Sequence, residues 1–232
     1  MGRIIKKADE RQAEILETAR GLFLSRGYDA TTVNDLIQAI GISKGAFYHH
    51  FASKEDVLSA LVWSMAEQGL ALHEPLFARD DLSPFQKIQA FFVNGQQFKK
   101  EQAPGLRAFI EILYRAENLK LRLRAAEQMT ELLVPPLGKV LTEGAAQGEF
   151  DIEDPEETAR LILNLGGLVH EAFAVALRLS QSDYRAARML LQKRADSYER
   201  AIERLLGVPK HSLSIIDAEL IALFLAPATQ ER

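Results

Sequence analysis

Apolar residues recur at three- and four-residue intervals along almost the whole chain, while period-two alternation of β-branched residues is scarce. A chain patterned this way buries one stripe of each helix and has little material for a sheet, so the expected class is all-α. The helix starts carry their own marks. Thr32-Val33-Asn34-Asp35 and Ser53-Lys54-Glu55-Asp56 fit capping boxes, in which hydroxyl and carboxylate satisfy orphan backbone N–H groups. Ser83-Pro84 and Asp154-Pro155 place proline at the first helical position, where its missing N–H costs nothing. These signals predict helices near 9–26, 32–40, 44–50, 54–73, 84–101, 105–116, 119–147, 154–180, 183–206 and 214–225. The first three are short and tightly linked, and the later ones are long. The expected division is a head over residues 1–55 and a body over 56–232, with the fourth helix leading from one to the other.

Cysteine is absent, which excludes disulfides, thiolate metal sites and cysteine nucleophiles, and weakly favours a reducing compartment. The N-terminus turns acidic where a signal peptide needs an apolar run, and no run of 18 or more apolar residues is found. The chain is therefore expected in the cytoplasm, with no membrane partner. None of the five histidines sits in a zinc-binding spacing such as H-E-x-x-H. Neither a phosphate-cradling glycine loop nor a G-x-S-x-G elbow occurs. No metal or cofactor is expected, and the chain does not read as an enzyme. Net charge is −4, but its distribution is uneven: residues 1–55 carry +1 and the remainder −5. A small nucleic-acid-reading head on an acidic body is permitted.

The informative stretch runs from Thr31 to Glu55. Val33, Leu36, Ile37 and Ile40 share one face of a short helix, Gly41 supplies the permissive C-cap, and Ser43 caps a second helix. Phe47 and Phe51 give that helix a buried edge, leaving Lys44, Gly45, Ala46, Tyr48, His49 and His50 on or near its outward faces. Two short helices joined by a glycine turn form a helix-turn-helix. Gly45 and Ala46 are small enough for close approach to base edges. Lys44 can donate to guanine, Tyr48 and the histidines to phosphate or bases, and Lys54 can clamp a neighbouring phosphate. Arg3, Lys6 and Lys7 fit either a solvated tail or an arm touching phosphate.

From Arg11 to Ser64 the sequence resembles the DNA-binding domain of the tetracycline-repressor (TetR/AcrR) regulators. The likeness lies in Gly27-Tyr28, Thr31-Thr32, Ile37-Gln38-Ala39-Ile40-Gly41, Ser43-Lys44-Gly45-Ala46-Phe47-Tyr48-His49-His50-Phe51 and Lys54-Glu55-Asp56-Val57-Leu58. It implies a homodimer on double-stranded operator DNA, touched by Thr32, Ser43, Lys44, Gly45, Tyr48, His49 and Lys54. His50 is left aside, because its side chain has capping or packing as alternatives. It also implies a body that binds a small-molecule effector and dimerises, so that the fold is a three-helix helix-turn-helix head on a larger helical ligand-binding and dimerisation body. Within that body, Phe92, Gln96, Phe109, Tyr114, His170 and Phe173 are the candidate cavity lining.

The segment 161–173 is apolar nearly all round and must be covered on two sides, by its own core and by a second subunit. With the apolar stripe of 183–206 it gives the expected four-helix dimer interface, containing Leu161, Leu165, Leu168, Ala172, Tyr198 and Ile202. Asn164, His170 and Glu171 interrupt this helix and are read as interface hydrogen-bonders or as ligand contacts. Pro135-Pro136 is expected to kink a long helix, and Arg107, Glu111 and Arg115 to form an exposed ion-paired stripe. Three competing functions remain: a DNA-binding dimer controlled by a protein partner, an enzyme on this scaffold, and activation in place of repression.

Overall fold

The computed structural model describes residues 8–226; Arg3, Lys6 and Lys7 lie outside the described residues. Among the described residues every regular element is helical. The helices are α1 (Ala8–Arg26), α2 (Val33–Ile40), α3 (Lys44–His50), α4 (Lys54–Phe77), α5 (Pro84–Glu101), α6 (Ala103–Leu113), α7 (Leu119–Ala146), α8 (Pro155–Ser180), α9 (Tyr184–Leu206) and α10 (Ala218–Leu225). A 3₁₀ turn, Ala116–Asn118, precedes α7. The chain divides into two compact units between Ala66 and Glu67, within α4. This differs from a boundary at residue 55. A helix belongs to the unit its side chains pack in, and Val57, Leu58 and Leu61 are buried residues of the first unit.

The first unit is held by local signals. Thr32 Oγ1 accepts from the Asp35 amide at 3.2 Å while the Asp35 carboxylate accepts from the Thr32 amide at 2.7 Å, which closes a capping box on α2. Gly41 ends α2 at φ 73°, a left-handed conformation that side chains disfavour, and its amide donates to Ile37. Ser43 then caps α3 through the Ala46 amide. Around α4, Asp56 donates its amide to Ser53 Oγ, but its carboxylate accepts from Ala52, one residue upstream of the position a strict box requires. Ile15, Ala19, Phe23, Leu36, Phe47, Val57 and Leu58 fill the interior, none more than 2% exposed.

The second unit is built on α7, α8 and α9, with α5, α6 and α10 packed against them. Its core runs through Ile88, Leu137, Leu141, Ile162, Leu177, Leu191 and Ile202. Packing is close where α7 ends. A Cβ on Gly144 would stand 2.2 Å from the Phe150 ring, so no larger residue fits without displacing that ring. α7 continues as one helix through Pro135 and Pro136. By length and mean hydropathy α8 is sufficient to cross a bilayer, which the search for apolar runs missed. Here it lies at the centre of the unit, between α7 and α9.

Beyond Gly207 the chain returns as a strap. Buried Glu203 accepts from the amides of Ser212 and Leu213, and Glu199 from those of Ile215 and Ile216. Gln96 donates to the Ser214 carbonyl at 2.7 Å and accepts from the Asp217 amide at 3.1 Å. α10 then buries Leu220, Ile221, Phe224 and Leu225, with Phe224 4.6 Å from the Phe173 ring. The extension is therefore part of the core.

Three expected dimer contacts are buried within their own chain by this packing. Ala172 (4% exposed), Tyr198 (9%) and Ile202 (0%) are enclosed within their own chain, and the Tyr198 hydroxyl donates to the Ile162 carbonyl of α8 at 3.1 Å. A stripe of apolar residues on α9 needed cover, and the chain's own core supplies it. Leu161 and Leu168 are open instead, with Leu165 half-buried; Val175 extends their ridge on α8, flanked by exposed Asn164 and Glu171.

Candidate nucleic-acid interface and interior cluster

α3 turns its two faces to different surroundings. Phe47 is fully buried and Phe51 nearly so, their rings 6.2 Å apart. At 100° per residue, Lys44, Gly45, Tyr48 and His49 then fall within one arc, and all four are exposed, together with the cap Ser43. Tyr48 keeps 46% of its surface. The Lys44 ammonium stands 5.9 Å from its ring, which leaves both the charge and the hydroxyl facing solvent. His49 and His50 meet edge to face at 5.3 Å, with His50 half-buried as its capping or packing alternative requires.

Two expected contacts are engaged inside the head. Thr32 is exposed, but its hydroxyl belongs to the capping box, donating to Asp35 Oδ2 at 2.6 Å. The Thr32 hydrogen bonds hold the Asp35 carboxyl below its usual range. Lys54 donates to the carbonyls of Tyr28 (2.8 Å) and Thr31 (3.0 Å), and its charge lies 4.1 Å from the centre of the Tyr28 ring. An ammonium has three N–H donors, so one remains for a phosphate. Lys54 therefore ties the loop before α2 to the start of α4, a role that spacing alone does not show.

The residues named for an effector cavity do not all meet. Phe92, Phe109 and Phe173 are core side chains, Phe92 against Phe91 (5.2 Å) and Tyr198 (6.5 Å) and Phe173 against Phe224. Both ends of the Gln96 amide hold the strap, which makes Gln96 a structural tie. Tyr114 and His170 remain. Burial pushes the Tyr114 hydroxyl up to about 12, against the Arg122 guanidinium lying 4.6 Å over its ring, while the Glu171 charge adds to the rise. His170 is exposed, yet desolvation pulls its imidazole down to about 3, with the Lys99 charge as the second cause.

The sequence reading missed two members of this neighbourhood. His73 on α4 is buried, 4.4 Å from the Phe91 ring, and its Nδ1 has no hydrogen-bond partner. Desolvation first, and Lys99 second, lower it to about 4. Lys99 itself lies half-buried on α5, and burial alone depresses its ammonium. Among the described residues no hydrogen bond or ion pair reaches it. A lone lysine in an amphipathic helix carries no motif; only its position beside two histidines from other helices makes it notable. Arg107 and Glu111 do pair, at 3.4 Å, and Arg107 also donates to the Ala226 carbonyl.

Residues 15–61, which contain α2, the glycine turn and α3, match a family described as bacterial regulatory proteins, tetR family. The head is thus similar to that of the tetR-family regulators. It is 28% identical to an uncharacterised helix-turn-helix transcriptional regulator of Bacillus subtilis over 174 residues, 71% of this chain and 80% of that one. Across 93 residues it is 33% identical to the transcriptional repressor KstR2 of Mycobacterium tuberculosis, covering 40% of this chain and 46% of that protein. A TetR-family regulator from Pectobacterium atrosepticum shares the fold with a TM-score of 0.63 at 21% identity, over 90% of this chain and all of that one. The chain is thus a DNA-binding transcriptional regulator, and the arc on α3 belongs to its matched head.

Proposed function

We propose that the protein is a cytoplasmic repressor that binds a two-fold operator as a homodimer and leaves it when a small molecule occupies the body. The observation that carries this reading is the open arc of α3, where Ser43, Lys44, Gly45, Tyr48 and His49 face solvent around a buried Phe47. Such a helix presents donors to phosphates and base edges while its apolar side anchors it. Repression is favoured by the named function of KstR2, although the alignment spans less than half of that protein.

Dimerisation is supported by the ridge of Leu161, Leu165, Leu168 and Val175 on α8. An apolar ridge on a central helix is the kind of surface that a second copy covers. Replacing Leu168 by Glu is expected to convert the dimer to monomer in sedimentation velocity; an unchanged dimer would place the interface elsewhere. Control by a small molecule is supported by the desolvated, unpartnered groups at His73, Lys99 and His170. Occupancy must favour one conformation over another, since equal affinity for both shifts nothing.

Titration onto the intergenic DNA upstream of its own gene tests the reading. Binding is expected to be sequence-dependent and to weaken steeply with salt, with half-site centres about 34–36 Å apart or a multiple of that. Equal affinity for unrelated duplexes would refute it.

A further inference from the structure

The interior cluster has a chemistry of its own. Lys99 brings the positive charge, and among the described residues no carboxylate pairs with it. His73 brings a buried, unpartnered Nδ1, and His170 an accessible imidazole on which the same charge acts. Both imidazoles are neutral near pH 7, so each offers one N–H and one lone pair. The flank of this cluster is aromatic: His73 lies on Phe91, which stacks with Phe77 at 5.9 Å and 24°. Open space adjoins it too, because Cβ atoms built on Gly95 of α5 and Gly167 of α8 would meet nothing within 4 Å. A buried charge without a partner is costly, and the structure leaves this one beside room for a ligand.

Resting on the effector reading above, we propose that the effector is a monoanionic carboxylate with an apolar or aromatic body, its carboxylate received by Lys99, His73 and His170 and its body laid against Phe77 and Phe91. One carboxylate oxygen accepts from the Lys99 ammonium and the other from an imidazole N–H. A cation would meet an uncompensated ammonium. A phosphate dianion would bring two charges to a site with one fixed counter-charge. Glu171, the acidic group next to His170 in sequence, acts on Tyr114 and lies among the exposed residues of α8.

Calorimetric titration of the full-length protein tests this with decanoate and phenylacetate, the matching neutral alcohols decanol and phenylethanol, and decylamine. At least one carboxylate is expected to bind about tenfold to a hundredfold more tightly than its alcohol, the range of a charge-assisted hydrogen bond. Lys99→Met should remove that advantage while leaving alcohol binding unchanged, and Lys99→Arg should retain most of it. His73→Gln with His170→Gln gives a second variant, expected to weaken the carboxylate several-fold and spare the alcohol. Alcohol or amine binding as tight as the carboxylate, or a carboxylate affinity untouched by Lys99→Met, overturns the anion assignment and leaves the effector reading standing. Absence of heat from all five compounds overturns the carboxylate assignment and leaves the effector reading standing.

Discussion

The head and the body handle polar groups in opposite ways. In the head, the residues that matter chemically stand outside, on an arc of α3, and the interior is a small apolar plug closed by caps. In the body, an exposed ridge of α8 is apolar, while the His73 imidazole and the half-buried Lys99 are drawn inward. On the proposed function, the difference separates the two encounters: a polymer of phosphates meets the polar surface of the head, and a small molecule meets the desolvated groups of the body.

The sharpest way to break the comparison is to remove the head's plug. Phe47→Ala deletes a fully buried ring and is expected to cost about 4 kcal/mol, lowering hydrogen-exchange protection in α1–α3 about a thousandfold. Protection in α8 and α9 should be unaffected; a shared loss would mean that the units do not unfold separately.

The outer arc should behave otherwise. Replacing Lys44 and Tyr48 together by Ala is expected to lower operator affinity by a hundredfold or more, about 3 kcal/mol, and to reduce the salt dependence by about one phosphate contact. Fluorescence anisotropy reads both quantities, and the melting temperature should not move.

Inside the body the sign of pH dependence follows from burial. The His73 imidazole is held near 4 when folded and returns to 6.5 when unfolded, so the unfolded chain binds the extra proton. Its contribution is neutral above pH 6.5 and becomes destabilising as pH falls towards 4, by about 2.5 kcal/mol at about pH 4.5. His170 pulls in the same direction. The urea midpoint of wild type should therefore fall relative to that of His73→Leu as the pH is lowered, and parallel curves would place His73 in water. The smallest effect belongs to the α2 cap: Thr32→Ala should cost about 1 kcal/mol in chemical denaturation.

Helix positions were legible in the sequence wherever the signal was local. α3 and α5 fall on the expected residues because Ser43 and Ser83 cap them through amides three positions on. Tertiary bonds decide the misses. α10 was expected from 214 but begins at Ala218, since the amides of Ile215, Ile216 and Asp217 are taken by Glu199 and Gln96. α4 continues past residue 73 through Pro75 to Phe77. Periodicity marked Tyr198 and Ile202 as apolar and needing cover but carries no information on whose core covers them. The exposed arc of α3 was readable because its spacing repeats a family pattern. Lys99 was not, because one charged residue on a helix ordinarily signifies water.

The tie between Gln96, Glu199, Glu203 and the returning chain sets a limit on engineering. A gene cut after Gly207 would leave the Glu203 carboxylate and the Gln96 amide facing a bared hydrophobic surface where Phe224 had been. Such a product is expected to aggregate on expression, so any shortened version must bring substitutes for both the missing amides and the missing apolar helix.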